Sequence, residues 1–222
     1  MSVANLAIAP DAIRVFTDTM TYRGGTPVRL SESKCHIAAS GNFAVAGRGN
    51  AWWIDAYEAI LDAFATFDAA EAEVCALLGG TVAAVDEVWF DHGHLIELTL
   101  AGWSDRTNTL RAVAVRGDRK GVTVDAIPQG IHLRPGHKSL ALPSTATDAQ
   151  MIRAAMVQHQ IQHSFDLALC IGGVLHQTTI TRESIRQNIA AVYPDYPKHA
   201  AELGDPNAEA VAAWLAQQRM VA

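Results

Sequence analysis

Residues 2–50 read SVANLAIAPDAIRVFTDTMTYRGGTPVRLSESKCHIAASGNFAVAGRGN, and this stretch decides the fold. Pro10-Asp11 and Ser40-Gly41-Asn42 are turn-forming segments, and each separates two short apolar runs. Each pair of runs is typical of a β-hairpin, so four strands are predicted. The runs are Val3–Ala9, Ala12–Thr17, Cys35–Ala39 and Phe43–Ala46.

The apolar pattern changes from a period of two to a period of about 3.6 after Gly49. It predicts a helix that Asn50 caps and that ends near Phe67, with an apolar stripe opposite acidic residues. Asp68, with Glu71 three residues later, resembles a capping box and predicts a second helix that continues towards Trp89.

The rest of the chain predicts a β-meander, a long loop at 130–143, a helix from Thr145 or Thr147 to about Leu169, and then alternating strand and helix. Because strands and helices are segregated along the chain, we expect an α+β fold with two antiparallel sheets and a helical layer outside each. We expect one domain, 1–222. The later segments are strands at 95–101, 110–115, 122–127 and 174–181, and helices at 183–193 and 208–219.

Composition limits the classes of partner and compartment. A net charge of −6 without a basic run argues against nucleic acid and against an acidic membrane surface. The three cysteines are widely spaced, which favours a reducing compartment. The chain has no signal-peptide pattern, and none of its apolar runs approaches the ~18 residues of a membrane span. These features predict a cytoplasmic protein.

Four residues at strand ends carry the chemical hypothesis: Ser2, Asp18, Lys34 and Gly47. Removal of Met1 would expose a serine with a free α-amine, whose pKa of roughly 7.7–8.0 allows it to act as a base towards its own hydroxyl. A charged lysine nearby would favour the deprotonated hydroxyl, and a glycine N–H would bind an oxyanion. Each residue alone also has a simpler explanation as a loose terminus, a turn former, an edge residue or a tight turn.

The spacing of these residues resembles that of catalytic proteasome β subunits and the simpler bacterial ring proteases, within the N-terminal nucleophile hydrolases. Asp18, in Thr17-Asp18-Thr19, lies sixteen positions after Ser2, and Lys34 lies sixteen positions after Asp18. Ala46-Gly47 is similar to the family's Ala-Gly pair. The resemblance is good over residues 2–67 and looser beyond.

The resemblance implies a four-layer αββα sandwich, amide hydrolysis through an acyl-enzyme, and assembly into rings or smaller oligomers. It implies that Ser2 is nucleophile and base, that Asp18 orients Lys34, that Lys34 lowers the pKa of the Ser2 hydroxyl, and that the Gly47 N–H binds the oxyanion. It requires neither a metal nor an organic cofactor. An ATP-driven unfoldase as partner is left open, and Ser144 or Thr145 is a weak candidate for holding the terminal amine.

Two other functions are kept open. One is a noncatalytic, oligomer-forming scaffold with the same fold and Met1 retained, and the other is an amidase that acts on a small metabolite in a closed pocket. Metal sites at Asp91-His92-Gly93-His94 and at His159 with His163 and Asp166 are set aside, because neither has an HExxH motif or an obvious third ligand, whereas zinc takes three or four protein ligands.

Overall fold

The structure, a computed structural model, describes residues 2–23, 25–49, 51–84, 94–118, 120–162 and 170–221. The strands are β1 (Ala4–Ile8), β2 (Ile13–Asp18), β3 (Met20–Arg23), β4 (Thr26–Leu30), β5 (Cys35–Ile37), β6 (Phe43–Gly49), β7 (His94–Ser104), β8 (Thr109–Asp118), β9 (Gly121–Ile127), β10 (Gly130–His132), β11 (Val174–Ile180) and β12 (Ile185–Val192). The helices are α1 (Ala51–Leu61), α2 (Phe67–Ala84), α3 (Asp148–Gln160), α4 (Tyr196–Leu203) and α5 (Ala208–Val221).

Both N-terminal hairpins are confirmed. β1 pairs antiparallel with β2, and β5 pairs antiparallel with β6. The meander β7–β8–β9 is also confirmed, and it extends the β5–β6 hairpin into a five-stranded sheet of order β5-β6-β7-β8-β9. The first hairpin belongs to a second five-stranded sheet of order β10-β1-β2-β11-β12, and β3-β4 form a separate pair. The α+β class is therefore confirmed.

Alternation along the strands divides the apolar residues among separate core clusters. On β6, Phe43 and Val45 join a cluster with α1 and α2, whereas Ala44 and Ala46 face the other way. A second cluster packs β1, β2 and β11 against α3. A third cluster draws on both five-stranded sheets, and one sheet supplies mainly alanine where the other supplies larger side chains. The alanines are Ala44, Ala46, Ala101, Ala112 and Ala114, and the larger residues are Leu6, Ile8, Ile13, Val15 and Ile180.

The helix predicted over 183–193 is wrong, because this segment is strand β12. β12 forms a hairpin with β11 through a turn in which Ser184 O accepts hydrogen bonds from the Thr181 N–H and hydroxyl. Partly buried and exposed residues alternate at the start of β12, which is a strand period. Tertiary pairing with β11 therefore decides the conformation of a segment whose composition is compatible with either state.

Five further features differ from the prediction, either in their bounds or in their presence. The first helix ends at Leu61 instead of near Phe67, and the strand before it extends through Gly49. Part of the predicted loop at 130–143 is strand β10, which pairs with β1. The β3–β4 hairpin and helix α4 were not predicted, and α4 accepts Pro197 because its proline lies in the first turn. The predicted helix ends at Trp89 and Leu169 lie outside the described residues.

None of the described helices is long and apolar enough to cross a bilayer.

A buried histidine in the central part of the fold makes stability dependent on pH. His176 on β11 is 5% exposed, and burial lowers its pKa from 6.5 to about 4. Between these two values the unfolded chain binds the proton and the folded chain does not, so stability is lost as the pH falls from 6.5 to 4. The contribution of His176 to the free energy of unfolding is expected to be about 2 kcal/mol smaller at pH 4.5 than at pH 7.

Urea unfolding of the parent and of His176→Gln across this range checks the prediction. The difference in unfolding free energy between the two proteins should change by that amount with pH. A difference that stays constant from pH 7 to pH 4.5 would contradict it.

Candidate active site

Three of the four residues selected from the sequence meet where the two five-stranded sheets come together. Ser2 precedes β1, Asp18 ends β2, and Lys34 directly precedes β5. Lys34 Nζ donates hydrogen bonds to Ser2 Oγ at 2.7 Å and to Asp18 Oδ2 at 2.9 Å. It also donates to the Met20 carbonyl oxygen, so all three N–H groups of an ammonium have an acceptor.

Asp18 holds both the lysine and the backbone that follows Ser2. Its carboxylate is fully buried, and Oδ1 accepts a hydrogen bond of 2.8 Å from the Val3 N–H. This contact continues the β1–β2 ladder, in which Ala4 pairs with Thr17. The two carboxylate oxygens therefore serve different partners, and both partners are near the Ser2 hydroxyl.

The surroundings of Lys34 affect its protonation in two opposite directions. Burial lowers the pKa of Lys34 below 10.5, and the charge and hydrogen bond of Asp18 oppose this change. The lysine is thus easier to deprotonate than an exposed lysine, although a carboxylate at 2.9 Å still favours the ammonium. A cation in this position stabilises negative charge on Ser2 Oγ.

Gly47 lies next to this group, and packing alone explains why it is glycine. Cys35 pairs with Ala46, so Lys34 and Gly47 each lie one residue beyond that pair on adjoining strands. A Cβ atom at Gly47 would lie 2.3 Å from Ile54 Cγ2 on α1. The glycine therefore allows α1 to pack closely on β6, and its role as oxyanion donor stays a prediction.

Arg48, which the sequence analysis did not select, also contacts Ser2. Its Nε donates a hydrogen bond of 2.9 Å to the Ser2 carbonyl oxygen. Its side chain is 9% exposed and forms an ion pair of 3.1 Å with Glu97 on β7. The signal was present in the sequence, because an arginine between two glycines in an otherwise apolar strand requires a buried partner.

Glu97 connects Arg48 to two further arginines. Arg134 lies 2.9 Å from Glu97 Oε1, and Arg116 lies 2.8 Å from Oε2. Burial by itself would raise the pKa of Glu97, but the three guanidinium groups lower it to about 2. The backbone of Arg134 also accepts a hydrogen bond of 2.9 Å from the Ala4 N–H, so this cluster is joined to the start of β1 at a second point.

The other candidates from the sequence lie elsewhere or outside the described residues. Cys35, the residue after Lys34, is not a second nucleophile, because burial raises the pKa of its thiol to about 12 and leaves it protonated at neutral pH. Ser144 and Thr145 contact Gln150 near the start of α3.

The histidine-rich candidates fall mostly outside the described residues. Residues 91–93, His163 and Asp166 lie outside them, and His159 packs on Tyr193 with ring centroids 5.0 Å apart. Among the residues described, no three His, Cys, Asp or Glu side chains are placed to hold a metal ion.

No protein-family model matches this chain, and no curated protein sequence matches it. The functional interpretation therefore depends on the geometry around Ser2.

Proposed function

We propose that this protein is an N-terminal nucleophile hydrolase that cleaves amide bonds through an acyl-enzyme on Ser2. The observation that carries the proposal is the position of Lys34 Nζ, 2.7 Å from Ser2 Oγ and 2.9 Å from the buried Asp18 carboxylate. A hydroxyl that accepts a hydrogen bond from a buried cation is stabilised in its deprotonated form, which is the nucleophilic form.

The proposed reaction begins once Met1 has been removed and Ser2 carries a free α-amine. The amine accepts the proton of the Ser2 hydroxyl as Oγ forms a bond to the substrate carbonyl carbon. The same proton passes to the leaving amine as the C–N bond breaks, which leaves an ester on Ser2. Water then attacks the ester with the α-amine again as base, and the carboxylic acid is released.

The described residues supply the charges that these steps need. Lys34 faces Oγ and stabilises negative charge there, and Asp18 holds Lys34 in place. The Gly47 N–H is proposed to bind the oxyanion, since Lys34 and Gly47 both lie one residue beyond the same end of the Cys35–Ala46 pair. Arg48 contacts the carbonyl oxygen of the nucleophilic residue.

The proposal includes the four-layer αββα arrangement of proteasome-like hydrolases. Three core clusters support it: one packs β6, β7 and β8 against α1 and α2, one packs β1, β2 and β11 against α3, and one draws on both sheets. Because this arrangement is proteasome-like, we propose peptides or other amides as substrates and self-assembly into a ring or smaller oligomer.

The experiment that tests the proposal is mass spectrometry of the untagged protein before and after brief treatment with a β-lactone. We expect loss of Met1 and a single acyl adduct that maps to Ser2. Ser2→Ala should give no adduct, whereas Ser40→Ala, which removes an exposed turn hydroxyl, should be labelled at the parent rate.

Retention of Met1 without an adduct would overturn the proposal and favour the noncatalytic scaffold. An adduct that persists in Ser2→Ala would show that another residue is the nucleophile. Hydrolysis of small amides but not of peptides by the untreated parent protein would favour the metabolite amidase.

A further inference from the structure

We propose that Arg48 is a positioning residue that fixes the backbone of Ser2, and this inference rests on the proposed function because it concerns the same nucleophile. Residues at a chain terminus are loose unless they are tied down. A nucleophile that precedes the first strand therefore requires contacts that hold its backbone as well as its hydroxyl.

Three side chains from different strands or loops hold the segment Ser2-Val3. Lys34 donates to Ser2 Oγ at 2.7 Å, and the Val3 N–H donates to Asp18 at 2.8 Å. Arg48 Nε donates to the Ser2 carbonyl oxygen at 2.9 Å, between those two points along the chain. The Ser2 carbonyl oxygen lies on the peptide bond to Val3, so a donor there limits rotation of the backbone that carries Oγ.

Arg48 is itself held in place by a carboxylate that other groups keep ionised. In the β6–β7 ladder Arg48 is directly opposite Glu97, and in the β7–β8 ladder Glu97 is directly opposite Arg116. Arg134 binds the same carboxylate oxygen as Arg48. A planar guanidinium can bind a carboxylate with one nitrogen and a carbonyl with another, which an ammonium does less well.

The network also explains how Arg48 can be replaced without leaving a buried charge unpaired. Glu97 would keep Arg134 at 2.9 Å and Arg116 at 2.8 Å after loss of Arg48. Arg116 donates its hydrogen bonds to Glu97 and Asp125, so it provides a matched control within the same cluster.

The test measures hydrogen exchange of the Val3 amide by NMR in the parent, Arg48→Met, Arg48→Lys and Arg116→Gln, alongside the rate of β-lactone labelling. Loss of a charge-assisted hydrogen bond should accelerate Val3 exchange and slow labelling of Ser2 by about 10- to 100-fold in Arg48→Met. Arg116→Gln should stay within about twofold of the parent. Arg48→Lys should give intermediate values for both measurements.

Each outcome decides the role of Arg48 separately from the proposed function. Val3 exchange in Arg48→Met that equals the parent rate, or that Arg116→Gln reproduces, would overturn the inference. If Arg48→Met does not fold, Arg48→Lys decides, because parent-like exchange and labelling in that variant would overturn it. A parent protein without an adduct would remove the proposed function, whereas the exchange data would still show whether Arg48 holds Ser2.

Discussion

Replacement of Lys34 by methionine is expected to lower the free energy of unfolding by about 3 to 5 kcal/mol and to abolish β-lactone labelling of Ser2. Asp18 is fully buried, and its Oδ2 atom accepts a 2.9 Å hydrogen bond from Lys34. Without the lysine, a buried carboxylate would lose its cationic partner, which is the costly way to break a buried ion pair. Urea unfolding at pH 7 and mass spectrometry measure the two effects.

The double variant Asp18→Asn/Lys34→Met separates the stability effect from the chemical effect. It removes both charges and keeps an amide oxygen for the Val3 N–H, so its loss of stability should be smaller than the sum of the single losses by about 2 kcal/mol or more. Labelling should remain absent, because the cation that faces Ser2 Oγ is still missing. Additive losses of stability, or labelling at the parent rate in Lys34→Met, would contradict this account.

Replacement of Gly47 by alanine is expected to lower the free energy of unfolding by about 3 kcal/mol or more. The new Cβ atom would lie 2.3 Å from Ile54 Cγ2 and 2.8 Å from Cγ1, so β6 or α1 must move. Because Gly47 follows the residue that pairs with Cys35, this movement would also disturb the strand beside Lys34. The midpoint temperature of thermal unfolding and the rate of Ser2 labelling should therefore both be lower than in the parent.

A second substitution shows whether this effect is steric. Ile54→Ala removes the two closest atoms and keeps the Cβ contact at 3.1 Å, so Gly47→Ala/Ile54→Ala should be more stable than the additive expectation. The alanine keeps its backbone N–H, which means that labelling should recover together with stability. Recovery of stability without any recovery of labelling would show that position 47 affects the chemistry by a route other than packing on Ile54.

The sequence predicted best what short-range pairing determines. Ser2, Asp18 and Lys34 belong to segments that lead directly into or out of two local hairpins, so turn chemistry and strand length are enough to place them at strand ends. The structure brings these three residues together, and their catalytic roles remain predictions. The distances of 2.7 and 2.9 Å around Lys34 depend on how the sheets approach each other, which spacing alone does not determine.

Features that depend on distant pairing were missed. Arg48 and Glu97 are 49 residues apart and meet only because β6 and β7 are neighbours in the sheet. The local pattern predicts a helix at β12, because the choice between helix and strand there depends on pairing with β11. The segment of β10 reads as a loop with prolines, because its strand character depends on pairing with β1. Local propensity cannot indicate which strand lies beside which. These elements and their contacts could therefore be identified only from the three-dimensional fold.

The alanines of the core cluster shared by the two sheets affect how the reactivity of Ser2 could be adjusted by substitution. Ser2 leads into one five-stranded sheet and Asp18 belongs to it, whereas Lys34 leads into the other, so the hydrogen bond from Nζ to Oγ joins segments of the two sheets. Ala44 and Ala46 help to set the thickness of that boundary. A protein engineer could therefore widen or narrow the reach of the lysine from within the hydrophobic interior, without exchanging any polar group at the nucleophile.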